Sequence, residues 1–280
     1  MKSIVAATDL SERGNLALQR GIYLASQMRL PLRILHVVDE ELPTSIRESL
    51  QEEAVGVIEQ ALAGLEKPAG TPIDIVQGRG SSTIRQYAQE HEAACIVVGR
   101  HRETTFMDML RGSTIERLLR HGDRPLFITK QPPKSTYARI LIAVDFSPHS
   151  RRAVEFALHS FPTAEYCLTH AFEPPFSAFM VGDESMQSPG DRHEREMRQI
   201  IHDELRTFIS TFDISTRPLN LRVQPGQPLQ VIKEELGRFK ADLLVVGTHG
   251  RRGIAHALLG SVAESLLKGV ECDVAAVRAF

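Results

Sequence analysis

The sequence predicts an α/β protein built from two tandem Rossmann-like, doubly wound units. Three observations carry that expectation. The chain repeats itself, its short apolar runs are mostly continuous instead of alternating, and segments of helical periodicity separate those runs. Continuous apolar runs suit strands covered on both faces, and strand–helix alternation implies right-handed crossovers in a parallel sheet.

The repeat is read from three pairs of segments. "SIVAATDLSERG" matches "RILIAVDFSPHS": a β-branched run, an Asp, then a Ser able to cap a helix. Asp9 and Asp145 end these runs, at an offset of 136. "LRILHVVDE" matches "YCLTHAFEP", with His36 opposite His170. "ACIVVGRHRETTFMDMLRGSTIERLL" matches "DLLVVGTHGRRGIAHALLGSVAESLL", and here Gly99 and Gly247, like Gly112 and Gly260, differ by 148. Gly78 and Gly226 share the offset of 148, so the second half carries a net 12 extra residues. That excess falls in "EPPFSAFMVGDESMQSPGDRHE", whose Pro, Gly and Ser content predicts a loop.

In the first half the expected strands are Ile4–Ala7, Ile34–Val38, Ile73–Val76, Cys95–Val98 and Leu126–Thr129, with a helix over Leu16–Met28. In the second they are Ile140–Val144, Cys167–Ala171, Leu221–Val223, Leu243–Val246 and Val274–Val277, with a helix over Val231–Phe239. Ser147-Pro148 is a start signal, a cap followed by proline at the first helical position. Ser113-x-x-Glu116 and Ser261-x-x-Glu264 read as capping boxes. The joint is "KQPPKST", where Pro132-Pro133 forbids helix and favours a stiff connector. The units are therefore expected at 1–132 and 137–280, packed together because the joint is short.

Composition narrows the function classes. The 280 residues are 42% apolar and 24% charged, with a net charge of -2, and give no electrostatic footprint for nucleic acid or an anionic membrane. Cys95, Cys167 and Cys272 are widely spaced in apolar runs and read as small buried hydrophobes of a reducing compartment. No apolar run approaches the ~18 residues of a membrane span. Met1-Lys2 leads straight into "SIVAA", so no signal peptide and a cytoplasmic location are expected. The histidines show no metal spacing; His193 and His202 do not share a helical face at i, i+4.

The glycines after the fourth strand of the second half suggest a ligand. In an open parallel sheet, ligands sit beyond the carboxyl ends of the strands at the switch point. Amides around Gly247 and Gly250 can form a concave anion site, and the helix opening at Gly260-Ser261 adds N–H groups and a positive dipole end. Asp145 is a carboxylate suited to a ribose hydroxyl. A plain turn at Gly247 and Gly250, a cap at Ser261 and turn roles for Asp9 and Asp145 would explain the same residues without a ligand. Arg251 and Arg252 fit either a phosphate contact or a solvated loop, and His249 fits an exposed turn.

The pattern Gly247-x2-Gly250-x9-Gly260-Ser261, with strand-terminal Asp145 upstream, resembles the ATP-binding motif of the universal stress proteins. The resemblance spans nearly the whole chain, twice over, as in a tandem member with two family domains. It implies a five-stranded parallel sheet per domain in the order 3-2-1-4-5, and a pseudo-dimer in which the last strands meet. It also implies a stress-responsive protein binding ATP, with Mg²⁺, in the second domain, and leaves room for a homodimer. By position, Asp145 would hold the ribose, Ala143 and Ala171 would line the adenine pocket, and Val144 belongs to the same nucleotide-binding set. Gly247, Gly250, Gly260, Ser261 and the Val262 amide would surround the phosphates. The first half keeps Asp9, Val37, Gly99, Gly112 and Ser113, but Arg102 replaces the second glycine at a position expected to need unusual backbone angles. Its side chain either fills the phosphate space or reaches a phosphate as a cation. The competing readings are a slow ATPase or phosphotransferase, for which no Walker lysine, general base or Ser-Gly-Gly-x-Asp-Ser segment is present, and a ligand-free scaffold.

Overall fold

The structure is a computed structural model that describes residues 2–100, 113–173, 189–214, 218–250 and 259–279. The first half runs β1 (Ser3–Thr8), α1 (Glu12–Met28), β2 (Leu32–Asp39), α2 (Thr44–Ala61), β3 (Ile73–Gly78), α3 (Gly80–Glu90), β4 (Ala93–Gly99), α4 (Thr114–His121) and β5 (Leu126–Thr129). The second runs β6 (Arg139–Ala143), α5 (Pro148–Ser160), β7 (Glu165–Phe172), α6 (Pro189–Ile209), β8 (Leu219–Pro225), α7 (Pro228–Phe239), β9 (Leu243–Gly247), α8 (Ser261–Gly269) and β10 (Asp273–Val277).

All expected strands form, most of them one or two residues longer at an end; β6 instead stops at Ala143, one residue short. The helices begin earlier than their apolar periodicity does. In α1 the Ser11 hydroxyl accepts from the Gly14 amide at 3.0 Å, so the polar first turn is helical as well. Ser147 caps α5 in the same way at 3.2 Å, with Pro148 at the first position.

Two expectations need correction. The end of "EPPFSAFMVGDESMQSPGDRHE" is not loop: Pro189 opens α6, a proline at a helix start being tolerated because its missing N–H would find no intrahelical partner. The rest of that segment, 174–188, lies outside the described residues. Second, Ser261 does not cap α8. Gly260 is the N-cap residue, its carbonyl accepting from Glu264 N at 2.9 Å, and Ser261 is already helical with an exposed side chain. Ser113 does cap α4, its hydroxyl accepting from Glu116 N at 3.1 Å.

The strands form one ten-stranded sheet in the order β3-β2-β1-β4-β5-β10-β9-β6-β7-β8. Each half thus has the order 3-2-1-4-5. Pairing is parallel throughout except at the seam, where β5 and β10 run antiparallel through Val274↔Ile128, Ala275↔Phe127 and Ala276↔Leu126. Helices cover both faces, and each of the two apolar layers so formed contains residues of both halves.

At the seam, Asp273 gathers donors from the first half and the joint. Its carboxylate accepts from Arg20 Nε at 3.1 Å, the Tyr137 hydroxyl at 2.7 Å and the Lys130 amide at 2.8 Å. All are buried; Asp273 itself is 2% exposed. The Arg20 guanidinium also lies 4.1 Å from the Tyr137 ring centroid, and Tyr137 packs with Phe127 and Phe161. Lys130 Nζ donates to the Leu267 and Val270 carbonyls at the end of α8, at 2.7 and 2.6 Å. Burial pulls that ammonium down to about 8, against the pull of Glu271 and Asp273 toward the charged form.

Cys95 and Cys167 are buried, as expected, while Cys272 is only partly so; all are free thiols, and burial pushes Cys95 and Cys272 up to about 12. Among the described residues no helix is long and apolar enough to cross a membrane.

Removing the charge of Asp273 while keeping its shape, with Asp273→Asn, leaves Arg20 buried without its partner. The expected loss is about 3–5 kcal/mol of unfolding free energy in urea titration. A loss below about 1 kcal/mol would show that this carboxylate does not hold the seam.

Candidate functional site

The switch point of the second half lies between β6 and β9, which are parallel neighbours whose chains depart to opposite sides. The turn after β6 is tightly specified. Val144 N donates to Thr169 O at 3.0 Å, and His170 Nδ1 lies 2.7 Å from Val144 O. Asp145 Oδ1 then accepts from Ser147 N at 3.1 Å, an Asx turn that places Phe146 in the left-handed region at φ 63°. The first half repeats each device. His36 Nδ1 lies 2.9 Å from Thr8 O, Asp9 Oδ1 accepts from Ser11 N at 3.1 Å, and Leu10 has φ 64°. So His36 and His170, matched in the sequence without a reason, both fix the carbonyl that precedes the Asp. The turn role weighed for Asp9 and Asp145 is real in both halves.

Beyond β6 and β9 lies a cavity of about 370 Å³. Ala143, Val144 and Asp145 reach it from the end of β6, and Ala171 from β7. Gly247 and Gly250 reach it from the end of β9, and Gly260, Ser261 and Val262 from the start of α8. The structure therefore brings all nine of these second-half candidates to one cavity. Pro228, Ile232, Val246 and Leu266 add apolar lining, residues that the sequence pattern did not single out. Only their proximity in the folded sheet marks them.

Gly247 is required for space, and Gly250 sits close to a side chain. A Cβ at Gly247 would sit 2.8–2.9 Å from His149 and Ser150 atoms of α5, so this glycine lets α5 pack against the strand end. A Cβ at Gly250 would sit 2.9 Å from Asp145 Oδ2. The expectation that this position needs unusual backbone angles is not met, since Gly250 does not occupy the left-handed region; the constraint is the approach of Asp145. Gly260 N donates to Thr248 O at 2.9 Å, seating the start of α8 over the turn.

At the start of α8 the cap residue is Gly260, with no side-chain cap bond, and the first turn borders the cavity. That end carries N–H groups and a positive partial charge. The equivalent helix of the first half, α4, has its cap position filled by the Ser113 hydroxyl. Gly99 ends β4, where a Cβ would lie 2.1 Å from Arg13 O, and Val37 lies partly buried on β2 beside Val76 of β3. Arg102, Gly112, Arg251 and Arg252 lie outside the described residues.

His249 is not a plain exposed turn residue. It is half-buried on the cavity wall, and its ring packs on His149 with centroids 4.8 Å apart. Burial, His249 and Arg278 lower the His149 pKa, and Asp145 opposes them. Among the described residues no group of three or more His, Cys, Asp or Glu could hold a metal ion.

Comparison with known proteins gives concordant results. The model of the Universal stress protein family matches residues 1–130 and again 136–278. A universal stress protein of Mycobacterium tuberculosis is 25% identical over 296 residues, covering 98% of this chain and 96% of that protein. Universal stress protein A homolog 2 of Coxiella burnetii is 34% identical over 145 residues, which is 51% of this chain and 95% of that one. Among solved structures, a universal stress protein from Archaeoglobus fulgidus superposes with a TM-score of 0.62 at 20% identity, over 99% of this chain and 98% of that one. That last likeness speaks for the fold alone.

The strand-end glycines give a paired expectation. Gly247→Ala and Gly99→Ala should each destabilise the protein by about 1–3 kcal/mol in thermal or urea unfolding. Gly99→Ala should be the worse, because its Cβ meets a backbone oxygen at 2.1 Å. Melting temperatures within about a degree of wild type for both would contradict the packing role.

Proposed function

The chain belongs to the universal stress protein family, with that family's stress-response role, and from this premise we propose that its second half binds one ATP, with Mg²⁺, in the cavity beyond β6 and β9. The observation that carries the reading is the chemistry gathered around one cavity. Ala143, Ala171 and Ile232 offer apolar surface that suits a base, Asp145 offers a carboxylate, and Gly247, Gly250 and the start of α8 border the same space. A carboxylate accepts from ribose hydroxyls, and a helix start attracts phosphate. The volume of about 370 Å³ falls within the range of small-molecule sites.

Mg²⁺ would enter with the nucleotide, coordinated chiefly by phosphate oxygens, as is usual for this cation. The first half is not assigned a nucleotide, because the Ser113 hydroxyl occupies the cap position at the start of α4. Binding serves sensing or regulation; among the described residues that line the cavity Asp145 is the one carboxylate, and its Oδ1 already accepts from Ser147 N.

Gly250→Arg tests the assignment. It should lower ATP affinity at least tenfold, on the order of 1.4 kcal/mol or more, while the far-ultraviolet circular dichroism stays unchanged. In the wild type, calorimetry should give about one ATP per chain. Unaltered affinity in the variant, or no ATP bound by the wild type, would sink the reading.

A further inference from the structure

His249 and His149 form a pair whose two members are anchored differently. His149 Nδ1 accepts the backbone N–H of Ala279 at 3.0 Å. A backbone amide can only donate, so this bond requires His149 Nδ1 to stay unprotonated. His249 Nδ1 instead meets the Thr248 hydroxyl at 2.9 Å. A hydroxyl rotates, donating to a bare ring nitrogen or accepting from a protonated one. Protonation therefore breaks the anchor of His149 and preserves that of His249. The rings are 4.8 Å apart, so two positive charges on them would repel. Among the described residues, the other charged groups acting on His149 are Arg278, beyond β10, and Asp145, in the turn after β6; Arg278 also donates to Arg120 O at 2.7 Å. Of the two histidines, His249 is the one on the cavity wall, beside Gly250, and a Cβ at Gly260, the cap of α8, would lie 3.5 Å from its Cα.

We propose that His249 is a proton-linked contact for the anionic end of the cavity's ligand, and that His149 is the positioning residue that holds its ring while remaining neutral. One proton passes from solvent to the His249 ring as a polyphosphate binds, and no other bond is made or broken. The single charge pairs with phosphate, and the neutral neighbour keeps the Ala279 bond. This deepens the nucleotide reading above and rests on it.

The test is calorimetric titration with MgATP and with adenosine from about pH 6 to about pH 8, spanning ordinary histidine titration. Wild-type MgATP affinity should fall about three- to tenfold as pH rises, and adenosine affinity should stay flat. Titrations near neutral pH in buffers of different ionisation heat should report proton uptake with MgATP only. His249→Gln should bind MgATP at every pH with the weaker affinity that the wild type shows at high pH. The nucleotide's own titration is common to both proteins, so the difference between their curves belongs to His249. His149→Gln, which removes the packed ring but retains an acceptor for Ala279, should shrink the gain in MgATP affinity at low pH, because the His249 ring loses its support. Parallel curves for wild type and His249→Gln overturn the proposal while leaving nucleotide binding in place. Failure of the wild type to bind MgATP at any pH overturns the nucleotide reading, and this proposal with it.

Discussion

The carboxylate of Asp273 is the constraint on which the two halves depend. The β5–β10 junction contains only three residue pairs, too few to align ten strands by backbone bonding alone. Asp273 sits at the first residue of β10 and takes hydrogen bonds from α1, from Lys130 just after β5 and from Tyr137 just after the joint. Those donors come from sequence positions 136 to 253 residues away, so one side chain fixes register, angle and depth together. A buried charge is tolerated here because a cation and two neutral donors converge on it. The pairing also removes two apolar strand edges that would otherwise template association with other chains.

Register at β10 matters for the site. The chain leaves β10 at Val277, and two residues later Ala279 reaches His149 on α5. His149 in turn packs on His249 at the cavity. The seam and the cavity wall are thus linked through a few residues of chain. Duplication supplies the rest. The Asp turn, the left-handed residue after it, the histidine on the second strand and the strand-end glycine occur in both halves. These devices hold the fold. The halves part at one helix start, where a serine hydroxyl caps α4 and a glycine stands before α8.

Local signals were legible in the sequence, and long-range ones were not. Continuous apolar runs located all ten strands, and the repeat located the turns, because both depend on neighbours along the chain. The glycine spacing led to Gly247, Gly250 and Gly260, which share one cavity wall. Ser261 misled, since Ser-x-x-Glu is a capping pattern whichever residue begins the helix. Here Gly260, seated by its bond to Thr248 O, begins it one residue earlier. The reach of Arg20 to Asp273, 253 positions apart, leaves no trace in either local sequence. Ile232 and Pro228 looked like ordinary residues of α7 and became cavity wall only once β7 was laid beside β6. His149 and His249 lie in segments that no periodicity joins.

Helix α8 shows how the seam supports the site. It has nine residues, fewer than an isolated helix needs for stability in water. Its C-terminal carbonyls, at Leu267 and Val270, are held by Lys130 from the first half. A cation there complements the negative end of the helix dipole. Its N-terminal turn borders the cavity, and the bond from Gly260 to Thr248 seats it. Its buried face, Ala263, Leu266 and Leu267, packs against the sheet. With the C-terminal end fixed by a lysine of the other half, the first-turn amides of α8 stay oriented without a side-chain cap. An anion bound there, as proposed, would complete the end that the sequence leaves to glycine. The second half's site is in this sense built by both halves, although the described residues of its cavity wall belong to one.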